Sequence, residues 1–133
     1  MPEARDPFTR TLKGDTCRTA RQRIEASLRR EGFGVLGVID VQALFRAALE
    51  LERPGYTILD TCDLALMHHA LESSPSAGLV MPCHIVVRDD GRGGAVVSLI
   101  DPERMARALP DSADLAEPVR EAGIRLQRAL RNA

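Results

Sequence analysis

The chain carries three cysteines and three histidines, the side chains that most often act as nucleophiles or transition-metal ligands near neutral pH. Two of the cysteines sit in specific local settings. Cys62, in Asp60-Thr61-Cys62-Asp63-Leu64, ends an apolar run and begins a helical pattern. With Asp63 as the helix cap, Cys62 precedes the cap and lies near several unpaired backbone N–H groups. A helix N-terminus stabilises a thiolate, which is why reactive cysteines occur there, while the adjacent Asp63 charge works against that lowering. The alternative is a buried thiol packed between strand and helix.

Cys83 lies in Gly78-Leu79-Val80-Met81-Pro82-Cys83-His84-Ile85-Val86-Val87, where a turn feeds a buried strand. In a regular strand it shares a face with Met81, Ile85 and Val87, a setting that suits a core residue better than a nucleophile. Pro82 and His84 then point the other way, so Cys83 and His84 do not share one ion unless Pro82 introduces a bulge. If this strand neighbours the one ending at Cys62, the thiols approach each other. Cys62 and Cys83 are then candidate catalytic residues, Cys62 attacking and Cys83 resolving. A ligand site at the same place would use Cys62, Asp63, Cys83 and His84. Thiolate and imidazole suit zinc, which makes Cys62, Cys83 and His68 candidate metal ligands, with His69 or His84 in place of His68. No Cys-x-x-Cys or His-x-x-x-His spacing reinforces a zinc site. His68 and His69 occupy adjacent faces of one helix and cannot both aim at one metal. Cys17 joins an apolar helical stripe and reads as core.

The elements that must position these residues follow from periodicity. Phe8 to Lys13 alternates as a short edge strand, and Gly14-Asp15-Thr16 supplies a turn and a cap. Cys17, Ala20, Ile24 and Leu28 recur at helical spacing, and Gly32 closes that helix as a C′ glycine. Phe33 to Ile39 is apolar on both faces and reads as a central strand, with Gly34 and Gly37 marking close packing or a bulge. Asp40 caps a second helix to about Glu50, and Arg53-Pro54-Gly55 breaks the chain before a strand from Tyr56 to Thr61. A third helix, Leu64 to Glu72, follows Asp63. Strands Leu79–Arg88 and Gly94–Ile100 flank Asp89-Asp90-Gly91-Arg92-Gly93, a hairpin connection. Asp101-Pro102 stops the sheet. Residues from about 114 to 131 form an amphipathic helix, with Asp114-x-x-Glu117 resembling a capping box. This order favours a single α+β domain over residues 1–133, with a mainly antiparallel sheet; a doubly wound parallel sheet is the alternative.

Composition narrows the function classes. A hydrophobic content of 44% and a net charge of -1 belong to an ordinary globular chain without a field for nucleic acid or anionic membrane. Lys13 is the only lysine, and nothing apolar around it would lower its pKa for Schiff-base work. The stretch from Arg10 to Arg30 is basic, but with Phe8, Phe33, Phe45 and Tyr56 as the only aromatics it lacks the stacking partners of a nucleic-acid surface. No apolar run approaches the roughly 20 residues of a membrane span, and the polar start offers no targeting region. Cysteines without secretory spacing point to a reducing compartment, so a cytoplasmic location is expected.

Gly32-Phe33-Gly34-Val35-Leu36 followed by Ile39-Asp40-Val41, then Tyr56 to Cys62, Ala70-Leu71-Glu72, Gly78 to Val87, and Val97 through Ile100-Asp101-Pro102 resemble the bacterial and archaeal family known as domain of unknown function 302. The likeness runs over about residues 8–105, with its characteristic core at about 38–101. It implies a two-layer sandwich with helices packed on one face of an antiparallel sheet, likened to the TATA-binding-protein fold, and a homodimer with no established reaction. The likeness to a DNA-binding fold does not transfer function. The family usually has Cys-Asn-Pro where this chain has Cys62-Asp63-Leu64, and Pro-Cys-Asn where it has Pro82-Cys83-His84. A glutamate is common where Val38 stands. Both cysteines therefore match while their polar neighbours differ.

Three functions follow from these residues. The first is a homodimeric module binding a small ligand or metal near Cys62 and Cys83. The second is a thiol, persulfide or disulfide carrier using the same pair. The third is an interaction domain with structural cysteines.

Overall fold

The computed structural model of the chain describes residues 6–133; the polar start, residues 1–5, lies outside them. Its strands are β1 (Thr9–Lys13), β2 (Gly34–Asp40), β3 (Tyr56–Cys62), β4 (Cys83–Asp89) and β5 (Gly94–Leu99). Its helices are α1 (Cys17–Arg30), α2 (Val41–Leu49), α3 (Leu64–Ser73), α4 (Pro102–Ala106) and α5 (Ala116–Arg131). The strands form one sheet in the order β1-β5-β4-β3-β2, and every neighbouring pair is antiparallel. This is the expected α+β two-layer architecture, and the register leaves no place for the parallel alternative.

Local chemistry sets the helix ends where the sequence marks them. Thr16 and Thr19 form a reciprocal capping box at the start of α1. At its end Gly32 adopts φ +86°, and the N–H groups of Gly32 and Phe33 bond back to the Arg29 and Leu28 carbonyls. That paired pattern needs a left-handed residue, which glycine supplies without steric cost. Asp40 and Asp63 accept hydrogen bonds from Ala43 and Leu66, capping α2 and α3. The core lies between one sheet face and α1 with α5. Ile24 and Leu28 of α1 and Val119 and Leu126 of α5 are buried with Leu59, Ile85, Val87 and Val97 of the strands.

Several expectations need correction. The strand at Phe33–Ile39 is not central: β2 is an edge of the sheet, and Leu36, Val38 and Ile39 are exposed. An apolar run reports that its side chains avoid water, not which neighbour covers them. The predicted bulge is present between Val35 and Gly37. Leu79 to Pro82 is not strand; a short 3-10 turn, Pro75–Leu79, leads to a cis Met81-Pro82 bond, and β4 begins at Cys83. Asp101-Pro102 ends the sheet but also starts α4, with Asp101 capping it through the Glu103 N–H. Asp114 makes no capping box; it lies in a 3-10 turn that runs into α5, whose cap residue Leu115 has no side-chain bond to offer. Helix α2 stands apart from the core layer: it packs on β3 and buries no residue.

Candidate functional site

The register decides the relation of the two thiols. Thr61 of β3 pairs with Cys83 of β4, so Cys62, at the end of β3, lies diagonally beside Cys83. Both line one void of about 10 Å³, together with Phe33, Asp63, Leu66 and Met81. A void of this size holds at most one water. Cys62 is 4% and Cys83 6% exposed. Each Sγ has a nearby backbone carbonyl to donate to: Asp63 O at 3.4 Å for Cys62 and Val80 O at 3.8 Å for Cys83. A thiol that donates is a thiol kept protonated.

Burial and then the Asp63 charge push the Cys62 pKa up, the opposite of what a helix N-terminus alone would do. Burial, followed by the neighbouring Cys62, pushes Cys83 up to about 12. Cys17, half-buried at the start of α1, is likewise raised by burial, and its Sγ donates to the Val87 carbonyl at 3.2 Å. All three cysteines are free thiols.

Asp63 is committed twice. Oδ1 accepts the Leu66 N–H at 3.1 Å, and Oδ2 receives both terminal nitrogens of Arg125 at 2.9 and 3.0 Å. Burial raises the Asp63 carboxyl, but the Leu66 N–H and the Arg125 guanidinium outweigh it and hold the pKa below the usual carboxylate value. Arg125 also donates to the Glu31 carbonyl at 2.7 Å and lies 4.9 Å over the Phe33 ring. This cation joins α5, the end of α1 and the start of α3 around the thiol pair.

The histidines stand elsewhere. His84 projects from the face of β4 opposite to Cys83, and its Nδ1 lies against the carboxylate of Asp60, its partner across the strands. His68 and His69 are exposed on α3, and neither lines the void around the thiols. Among the described residues, no three His, Cys, Asp or Glu side chains converge closely enough to hold a metal ion. The basic stretch from Arg10 to Arg30 has structural work to do. Arg10 donates to the carbonyls of Leu130, Arg131 and Ala133, Arg23 to Ala133 and Arg30 to Asn132. These guanidiniums satisfy the orphan carbonyls at the end of α5 and complement its dipole.

A second recess escaped the sequence reading. It lies between α2 and strands β3 and β4 and measures about 530 Å³. Val41, Phe45, Tyr56 and Ile58 give it apolar walls, and Arg53, Arg88 and Asp89 give it charge. Gln42 Nε2 holds the Arg53 carbonyl at 2.6 Å. Asp89 Oδ2 takes the Gly55 N–H at 2.8 Å, and the Asp89 N–H returns to the Gly55 carbonyl at 2.9 Å. A Cβ on Gly55 would come within 2.7 Å of Asp89 and 2.9 Å of Cys17, so only glycine lets the loop approach this closely. In sequence, Arg53-Pro54-Gly55 signals no more than a helix break. The available hint was Arg88, a charged residue following the apolar Ile85-Val86-Val87 run near the end of β4.

The fold and these two sites define an α+β domain with a fully antiparallel five-stranded sheet, a closed thiol pair on its core side and an open recess beside α2. The family model described as domain of unknown function DUF302 matches residues 8–133. The chain belongs to that family, and the match takes in α5 as well as the sheet. It is similar to the crystal structure of an uncharacterized conserved DUF302 protein from Bacillus stearothermophilus. The TM-score is 0.82 at 25% sequence identity, over 94% of this chain and 97% of the other. No curated protein matches. No helix among the described residues is long and apolar enough to cross a membrane.

Proposed function

We propose that the protein is a small-ligand-binding module whose binding place is the recess between α2 and strands β3 and β4, with Cys62 and Cys83 as packing residues. The observation that carries this reading is a walled recess of about 530 Å³, within the range of sites that bury a drug-sized molecule. Its loop wall is tied down by the Gln42 and Asp89 bonds, so little ordering is left for a ligand to impose. Carrier chemistry at Cys62 has less support. It needs a thiolate that a partner can reach, and both thiols are buried, raised in pKa and directed at carbonyls.

The test is thermal unfolding and ligand-observed NMR against a collection of small metabolites, with Ile58→Trp as a variant that fills the recess. At least one compound is expected to stabilise the wild type saturably and to lose that effect in the folded variant, by mass action on the native state. Stabilisers acting equally on both proteins, or none at all, would refute the reading.

A second copy of the chain is the macromolecular partner we propose. Edge strand β2 leaves Leu36, Val38 and Ile39 exposed, and Leu44 and Leu49 of α2 are exposed after it. β2 carries no lysine or proline, two of the protections a sheet edge commonly has, and beyond its one bulge at Val35/Gly37 its apolar residues are open to a partner. Two such edges related by a twofold axis satisfy each other's backbone groups and cover these side chains.

A further inference from the structure

We propose that the α2 recess takes an amphipathic monoanion, a carboxylate carried on an aromatic or branched aliphatic body. This rests on the ligand-binding reading above and names its ligand class. The recess is lined by two guanidiniums, Arg53 and Arg88. Among the described residues neither lies in an ion pair, a state they share with other arginines such as Arg18, Arg29 and Arg92; what sets them apart is that both line one recess with apolar walls. Asp90 feels the Arg88 charge at longer range, but among the described residues no carboxylate holds either guanidinium in a direct ion pair.

Asp89 is the one carboxylate in the lining, and it faces away from this task. Its Oδ1 accepts the Cys17 N–H at 3.0 Å and its Oδ2 the Gly55 N–H at 2.8 Å. Two positive charges and one negative leave a single positive charge, which suits a monoanion better than a phosphate dianion. One guanidinium lies over a ring, and the other belongs to a residue paired with a tyrosine across the strands. Arg53 stacks 5.4 Å from the centroid of Phe45, and Arg88 is directly opposite Tyr56 in the strand register. A guanidinium is by its own resonance a planar fork, the shape that receives a carboxylate through two parallel hydrogen bonds, and stacking on Phe45 restrains how the Arg53 fork is turned. The rings, with Val41 and Ile58, then offer the remaining surface to an apolar body. A neutral hydrophobe would leave both cations unmatched, and a bare anion would leave the apolar walls unused.

The probe is 1-naphthoate, titrated calorimetrically into the intact chain, with neutral 1-naphthamide and inorganic phosphate as comparisons. The expected result is saturable binding of naphthoate, at least about tenfold weaker binding of naphthamide, and no displacement of naphthoate by phosphate. Arg53→Gln and Arg88→Gln, both at exposed positions, are each expected to weaken naphthoate binding about tenfold, as loss of a charge-assisted bond does. Their thermal unfolding should stay close to wild type. Naphthamide binding as tightly as naphthoate overturns the ligand class while leaving the binding-module reading intact. Displacement by phosphate, or full affinity in the folded double variant, overturns the assignment to the guanidiniums. Absence of any naphthoate binding overturns the proposal outright.

Discussion

Replacing Asp63 separates two jobs that one carboxylate performs beside the thiol pair. Its Oδ1 caps α3 through Leu66, and its Oδ2 anchors Arg125 by two bonds. Losing a cap costs about 1 kcal/mol. The charge-assisted bonds add about 1.5 kcal/mol, the low end of their range because solvent still reaches side chains that are 17% and 18% exposed. Asp63→Ala should therefore destabilise by about 2.5 kcal/mol. Asp63→Asn keeps an oxygen for the cap and loses the charge, so about 1–1.5 kcal/mol is expected. A cycle with Arg125→Met should give a coupling of about 1 kcal/mol. The assay is urea unfolding at neutral pH, repeated toward acid. Because the folded pKa is held below its ordinary 3.8, the stabilisation is complete above that value and disappears as pH falls through the lower, folded pKa. The gap between wild type and Asp63→Asn should close over that acid window. Equal damage from Asn and Ala, a coupling below about 0.3 kcal/mol, or a gap that does not change with acid would refute this account.

The thiols give a second prediction. Cys62 and Cys83 should resist a disulfide reagent at neutral pH in the native protein and titrate fully in denaturant; rapid native-state reaction of Cys62 would revive the carrier reading. Raised folded pKa values stabilise below the unfolded thiol value of 9.0, and Cys83 loses its share as pH climbs toward about 12, so alkaline unfolding should be delayed in a folded Cys83→Ala variant. Arg10→Ala removes three bonds to the carbonyls ending α5 and should cost about 1–2 kcal/mol, read by urea midpoint. Light scattering should give twice the 14.5 kDa chain mass for the wild type and a shift toward monomer for Val38→Lys; a monomeric wild type would remove the β2-edge interface.

Much of the scaffold was legible because its signals are local. Thr16, Asp40 and Asp63 cap helices by bonding N–H groups two or three residues away, and Gly32 ends α1 through its own φ. The alternation in β4 placed Cys83 inward and His84 outward, as the structure does. The hairpin at Asp90–Gly93 was equally plain, since Asp90 accepts the N–H groups of Arg92 and Gly94 within the same turn. Asp114 failed as a capping box because the preceding 3-10 turn, not the helix, occupies those residues.

Although α4 and the faces of β2 were not legible in it, the sequence alone determined the order of the strands and of the four longer helices, most helix ends, the inward and outward faces of β1 and β4, and the family. These depend on interactions within a few residues, or on alternation along one segment. Tertiary structure decided which strands lie at the edges, that Cys62 and Cys83 share a closed void, and that Arg125, 62 residues beyond Asp63, supplies its counter-ion. It also brought Phe45, Arg53 and Arg88 from three segments around one recess. Each of these depends on which strand pairs with which. That choice is made by the collective burial of one sheet face, and no local pattern records it.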